Sequence, residues 1–289
     1  MKNVAGSGGK WLEVSAERLP GWIASFAVRH GVSDAGAGSG EALTVAVGDD
    51  HISITAQDGA VAQCYPPFLP AGGMTALLEE VTPPSRLQDP DVFDHPAAAG
   101  FGQQGGPDDP AASAEAVAAH ARKPRTVGVL LVRLGGYAAG VFTGYPPVLG
   151  DAKVGSRPVH GRSAAGGWSQ HRFARRREKQ ASEALSAAAD AAVMIFGQAG
   201  ATVRSTSQKR ATTSGAAAAG RPQPRTTRLD AVVLGGDRRA VADLREDPRL
   251  APYFALATER FLTVPDPKRA VLLEAAKQFT AVRIWLTEP

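Results

Sequence analysis

The sequence predicts an α/β chain: a mixed sheet covered by helices in the larger C-terminal part, preceded by a small α+β domain. Three observations carry that expectation. Two hydrophobic runs, Thr126 to Leu134 and Tyr137 to Thr143, meet at Gly135-Gly136, and a glycine pair there supplies the positive φ that tight hairpins need. An alanine-rich stretch then extends to Phe196 at helical spacing. Beyond residue 228, strand-like and helix-like segments alternate, the pattern of a sheet with helices on its faces.

At 289 residues the chain has room for two domains and a sizeable core. Lys10 to Val14 reads as a short strand, and Leu19, Trp22, Ile23, Phe26 and Ala27 recur at helical spacing, predicting an amphipathic helix that ends at Gly31. Ala42 to Val47, His51 to Thr55 and Val61 to Tyr65 read as strands, the last behind an Asp58-Gly59 turn. Residues 1–82 are thus expected to form a small acidic α+β domain. Within it Gly36, Gly38 and Gly40 lack the spacing and the strand-to-helix setting of a nucleotide loop and read as linker. Asp49, Asp50 and His51 read as a polar turn between strands rather than as metal ligands.

Residues 83–121 are rich in Pro, Gly, Ala and Asp with few apolar anchors, and are expected to be a flexible linker. The FGQQGG run, Phe101 to Gly106, has no basic neighbours and no following helix, so it is assigned no role. Residues 122–289 are expected to form the second domain. After the hairpin a third strand is expected between Ala152 and His160, then a helix from Gln170 to Phe196. Leu229 to Leu234 reads as a buried strand, and Asp237 as the N-cap of a helix reaching about Arg245. A strand at Arg260 to Val264, a helix at Lys268 to Phe279 and a last strand at Ala281 to Leu286 complete the chain. Residues 197–228 interrupt this order with a Ser/Thr/Ala/Gly-rich loop carrying six cations and no acid, a composition that orders on RNA or stays solvated.

Charge divides the chain sharply. Residues 1–121 hold 5 Lys/Arg against 15 Asp/Glu, whereas residues 122–228 hold 18 against 4. The middle of the chain is the part that faces a polyanion, and the acidic first third is not. The single cysteine, Cys64, excludes a disulfide framework and a cysteine-rich zinc site. No apolar run reaches the roughly 18 residues of a membrane span, and MKNVAGSGGKW lacks the apolar stretch of a signal peptide, so a cytoplasmic, membrane-free, monomeric protein is expected.

The stretch least explained by folding alone is Gly161 to Gln180, GRSAAGGWSQHRFARRREKQ. Ser169 is a good N-cap, so the helix is expected to start at Gln170. On a helical wheel Phe173, Ala184, Leu185, Ala188, Ala192 and Ile195 share one face, while Arg172, Arg175, Arg176 and Lys179 share the opposite one. Cations in a first turn oppose the helix dipole at about 0.3–1 kcal/mol each, a cost that a bound anion offsets. A helix N-terminus with added arginines is a phosphate site, and Gly166-Gly167 lets backbone approach a ligand closely.

This stretch resembles the catalytic loop of the release-factor-like peptidyl-tRNA hydrolases, the VLRF family, in its actinobacterial branch, which are relatives of the middle domain of eukaryotic and archaeal class-one release factors. Those factors carry Gly-Gly-Gln, and eukaryotic VLRF proteins a Gly-Ser-Gln or Gly-Gly-Gln loop; the run here is Gly166-Gly167-Trp168-Ser169-Gln170, with a Trp-Ser insertion. LDAVVLGGDRRAV and DPRLAP add weaker support. The zinc finger, ankyrin repeats and partner-binding tail of eukaryotic members have no counterpart in this sequence. The resemblance implies a ribonuclease H-like fold over roughly residues 124–289. It also implies hydrolysis of the ester joining a nascent peptide to tRNA, within the large ribosomal subunit and without a metal or other cofactor.

On that reading the expected catalytic group is Gln170 with Gly166, Gly167 and Ser169. An amide does not titrate near neutral pH, so Gln170 would orient water and hydrogen-bond developing charge rather than act as a base. Arg172, Arg175, Arg176, Arg177 and Lys179, supported by Arg157, His160 and Arg162, would hold phosphates of peptidyl-tRNA or ribosomal RNA. Three other readings remain at this stage. A Ser169–His171 esterase is disfavoured because residues two apart on a helix point away from each other. A tRNA 3′-end nuclease would need a cluster of acidic metal ligands that the basic domain lacks. A non-catalytic ribosome- or tRNA-binding protein would use the same basic face.

Overall fold

The computed structural model describes residues 8–31, 43–81, 109–133, 135–156, 180–198 and 228–289. They divide into two units: residues up to Lys123 together with Thr280–Pro289, and Pro124–Phe279.

The first unit is built on a five-stranded antiparallel sheet. Its strands are β1 (Lys10–Val14), β2 (Leu43–Val47), β3 (Ile52–Ala56), β4 (Val61–Tyr65) and β10 (Val282–Thr287), in the order β1-β10-β4-β3-β2. Alternation sends Ile52, Ile54, Ala62, Cys64, Val282, Ile284 and Leu286 inward. The core is completed by Leu19, Ile23 and Phe26 of α1 (Leu19–His30), by Met74 and Leu77 of α2 (Gly73–Val81), and by α3 (Pro110–Ala121). As its apolar spacing predicts, α1 ends at Gly31, whose N–H donates to Ala27 O at 2.7 Å. His30 Nδ1 meets Asp58 Oδ2 at 2.8 Å, tying that helix end to the β3–β4 turn.

Two expectations for this unit are corrected. The linker expected over 83–121 is a helix from Pro110 to Ala121, and residues 82–108 lie outside the described residues. Asp109 caps α3 by accepting from Ala111 N at 2.9 Å, Pro110 starts it, and Ala114, Val117, Ala118 and Ala121 are buried against α1 and α2. His120 Nε2–H donates to Phe68 O at 3.0 Å, and Lys123 Nζ meets Glu80 Oε2 at 2.6 Å, so α3 is part of the core of this unit. The second correction concerns the last strand, which pairs with β1 and β4 here and not with the C-terminal sheet. Its pattern VRIWLT dictates a strand but carries no information about the neighbour.

The second unit holds a five-stranded mixed sheet in the order β7-β6-β5-β8-β9. A meander of β5 (Arg125–Arg133), β6 (Gly136–Gly144) and β7 (Val148–Ser156) is antiparallel, while β8 (Ala231–Gly236) and β9 (Ala257–Leu262) continue it in parallel from β5. The hairpin turns between paired Arg133 and Gly136, where Gly135 adopts φ 84°. β7 starts and ends about four residues earlier than expected, directly after the Tyr145–Pro147 turn.

Helices cover both faces. Residues 180–198 form α4, whose Ala188, Ala192, Ile195 and Phe196 pack on Leu130, Val132, Ala139, Val141, Val232 and Leu234 together with α5 (Arg238–Leu244). On the other face α7 (Arg269–Thr280) sets Phe279 edge-on to Phe142 at 5.4 Å, and its Leu272 approaches Gly140. A short 3₁₀ turn (Pro248–Leu250) and α6 (Ala251–Phe254) lead into β9. The starts of β5 and β8 are fastened to each other: Thr126 N–H donates to Asp230 Oδ2 at 2.6 Å, and Asp230 N–H to Thr126 O at 2.8 Å. No helix among the described residues is long and apolar enough to cross a membrane.

Candidate functional site

Every residue to which the sequence assigns chemistry falls in one insert between β7 and α4. Gly166, Gly167, Ser169 and Gln170, and the cations Arg157, His160, Arg162, Arg172, Arg175, Arg176, Arg177 and Lys179, all lie outside the described residues, as does 199–227 of the basic loop. The described residues define where that insert is anchored.

β7 is an edge strand of the mixed sheet and ends at Ser156, paired with Gly136. Because β6 runs opposite to both neighbours, β7 points the same way as β5, and β8 and β9 are parallel to β5. The C-terminal ends of four strands therefore share one end of the sheet: Ser156, Arg133, Gly236 and Leu262. The insert departs from that end. In open α/β sheets this is the end at which ligands gather, since parallel strands deliver their following loops there.

Three arginines that no local pattern groups together stand at the same end. Arg133 is exposed and donates from Nη1 to Val264 O at 3.0 Å. Arg238 lays its guanidinium 4.3 Å from the ring centre of Phe261, and Arg239 follows it in the exposed first turn of α5. Only strand order and direction bring them together. The Leu234-Gly235-Gly236-Asp237 turn among them is structural, as expected. Asp237 N–H donates to Val132 O at 2.7 Å, and the Asp237 carboxylate caps α5 by accepting from Arg239 N at 2.9 Å. The turn is thus closed on itself rather than left open to an anion.

At the other end of the insert, α4 has the two faces that its spacing dictates. Ala188, Ala189, Ala191, Ala192, Ile195 and Phe196 are buried, Ala184 and Leu185 are half-buried, and Ser182, Glu183, Ser186, Asp190 and Met194 are exposed. The exposed face is held from outside at Asp190, which accepts from Arg249 Nη1 at 2.7 Å; Arg249 Nη2 also meets Asp247 Oδ2 at 2.7 Å. That guanidinium keeps the Asp247 carboxyl below its ordinary range. Asp49, Asp50 and His51 form the β2–β3 turn, with Gly48 N–H donating to His51 O at 2.9 Å. Among the described residues no group of three or more His, Cys, Asp or Glu is placed to hold a metal ion.

Charge segregates with the fold. Residues 124–279 carry 24 Lys/Arg and 12 Asp/Glu, whereas the first unit carries 8 and 16. A model of the Actinobacteria/chloroflexi VLRF1 release factor family matches residues 125–285, more than half of the chain, from the start of β5 into β10. No curated protein matches the chain.

Proposed function

From the chain's membership of the Actinobacteria/chloroflexi VLRF1 release factor family, which implies work at the ribosome in termination or rescue, we propose that the protein hydrolyses peptidyl-tRNA on obstructed ribosomes or large subunits. The observation that carries the proposal is the family match over a segment containing Gly166-Gly167-Trp168-Ser169-Gln170 and the arginine run behind it. In the reaction a water oxygen attacks the ester carbonyl carbon, the bond to the tRNA 3′ ribose oxygen breaks, and that oxygen takes up a proton. Gln170 orients the water and donates to the oxygen on which charge develops, a contact made only in the transition state. Gly166 and Gly167 allow the close approach, and Ser169 caps the helix.

Support for the phosphate-holding role comes from α4. On the proposed reading that this helix runs back to Gln170, repeated steps of three and four residues from the exposed Ser182 and Glu183 reach positions 179, 176, 175 and 172, the cations Lys179, Arg176, Arg175 and Arg172. Arg177, Arg157, His160 and Arg162 flank them in sequence. The domain is further proposed to be ribonuclease H-like, of the release-factor middle-domain type. The three-strand antiparallel meander extended by two parallel strands, with helices on both faces, supports that assignment. The protein would act as a cytoplasmic monomer on peptidyl-tRNA and ribosomal RNA of the large subunit.

Single-turnover release of labelled peptide from peptidyl-tRNA on isolated large subunits tests this reading. Gln170→Ala is expected to slow release by about 10²-fold or more, the scale of losing one transition-state donor, with subunit binding retained. Ser169→Ala, which removes a cap worth about 1 kcal/mol, is expected to slow it only modestly. Abolished release in Ser169→Ala with near-normal release in Gln170→Ala would replace the glutamine mechanism by a serine nucleophile.

A further inference from the structure

The sheet of the first unit has one packed face and one open face. Residues alternating with the buried Ile52, Ile54, Cys64 and Ile284 point the other way, and across the three adjoining strands β1, β10 and β4 they include Trp11, Trp285 and Tyr65 beside Glu13, Arg283 and Gln63. Trp11 sits opposite Trp285, and Arg283 opposite Tyr65. The Trp11 ring lies 5.1 Å from that of Trp285 with planes inclined by 55°, and 5.4 Å from that of Tyr65 inclined by 58°. Trp11 remains 45% exposed although it is the largest side chain of its strand. Folding alone does not call for three large rings on the outer face of a sheet.

What such a surface takes up is decided by geometry and charge. Bases stack on rings that lie parallel to them, whereas the Trp11 ring is inclined by more than 50° to both Trp285 and Tyr65 and forms a corner with each. A corner of π-faces suits a cation, which is drawn to the negative face of each ring. One is already seated there: the Arg283 guanidinium lies 4.1 Å from the Trp11 ring centre. Acidic groups border the corner, with Glu13 two residues from Trp11 on the same face of β1 and Asp50 bound to His51, whose ring stacks on Tyr65 at 4.8 Å. The unit as a whole has twice as many Asp/Glu as Lys/Arg, so it repels nucleic-acid phosphates and attracts polycations.

We propose that the open sheet face of the first unit, centred on Trp11, Tyr65 and Trp285, is a docking surface for an arginine- or lysine-rich polypeptide segment, whose side-chain cations lie over the rings between Glu13 and Asp50. It gives the acidic unit a protein partner while the basic unit faces nucleic acid, and it stands whether or not the release reaction does.

The test uses the full chain and two labelled probes, a peptide of alternating Arg and Gly and a single-stranded oligouridylate, read by fluorescence anisotropy. Wild-type protein is expected to bind the peptide with an affinity that falls with salt, and Trp11→Ala to weaken it about fivefold, the equivalent of one cation–π contact at an exposed site. Trp11→Ala also strips packing from Trp285, so the double variant Glu13→Gln, Asp50→Asn removes the charge while leaving the rings in place; it is expected to weaken the peptide to a similar extent. Oligouridylate affinity is expected to be unchanged in both variants. Peptide affinity that is absent in wild type, or equal in wild type and both variants, overturns the proposal. Loss of oligouridylate affinity alone in Trp11→Ala makes the face an RNA platform instead.

Discussion

Gly236 ends β8 with φ 101°, and a Cβ added there would overlap the carbonyl oxygen of Val132 on the neighbouring strand. The next residue explains the constraint, because Asp237 N–H reaches that same oxygen at 2.7 Å and the Asp237 carboxylate caps α5. A backbone that passes this close over β5 admits only glycine. Gly236→Ala is therefore expected to lower stability by more than about 2 kcal/mol, from positive φ and steric overlap together, in a denaturant midpoint measurement. An unchanged midpoint would mean that β8 does not end on Val132. The cap itself was legible, since an aspartate after two glycines and before RRAVADL can serve a helix N-terminus through its short carboxylate. The need for glycine at 236 was not legible, because it arises from a strand more than 100 residues away in sequence.

Elements whose local signals agree with their surroundings were readable, and those defined by tertiary contacts were not. The apolar face of α4 follows from helical spacing alone, and Ala188, Ala192 and Ile195 are buried as that spacing requires. In α3 the start signal Asp109-Pro110 is present, but the helix has weak amphipathicity: Ser113 and His120 are buried among alanines, so composition points to linker. The site was legible as a motif and not as a place, since the strand directions that gather Arg133, Arg238 and Arg239 at the end from which the insert leaves are absent from any local pattern. The same contacts bound the basic loop more closely than composition does. Phe196 and Leu229 are both buried and both approach Gly128, where an added Cβ would lie 3.0 and 3.1 Å from them, so the ends of the loop converge on one point. Replacing residues 199–227 with a short Gly/Ser linker is expected to leave the melting temperature nearly unchanged, because closing a shorter loop between converging ends costs no core contact. Extending the deletion to Phe196 or Leu229 is expected to cost about 3 kcal/mol or more through the cavity left at Gly128. A marked fall in melting temperature for the first variant would show that part of the loop belongs to the core.

At the scale of the whole chain, the decisive feature is that the last strand closes the sheet of the first unit. β10 lies between β1 and β4, and among the described strands β1 pairs with β10 alone. Three of its side chains, Val282, Ile284 and Leu286, are buried, each contributing about 1.5–3 kcal/mol, which together approaches the 5–15 kcal/mol by which typical domains are stable. Truncation after Thr280 is thus expected to unfold the first unit even though every residue removed lies at the far end of the sequence. Cys64 reports the event directly. It is the single cysteine of the chain, it is buried opposite Ile284 on the inner face, and burial pushes its thiol up to about 12, so in the intact protein it is neither accessible nor ionised near neutral pH. A thiol reagent at pH 8 is expected to leave the full-length protein unlabelled for as long as it stays folded and to label the truncated protein within the time of mixing. Supplying residues 281–289 as a separate peptide is expected to restore protection in proportion to the fraction bound. Protection of Cys64 in the truncated protein without the peptide would mean that the sheet of the first unit closes without β10, and that the two units are separable along the sequence after all.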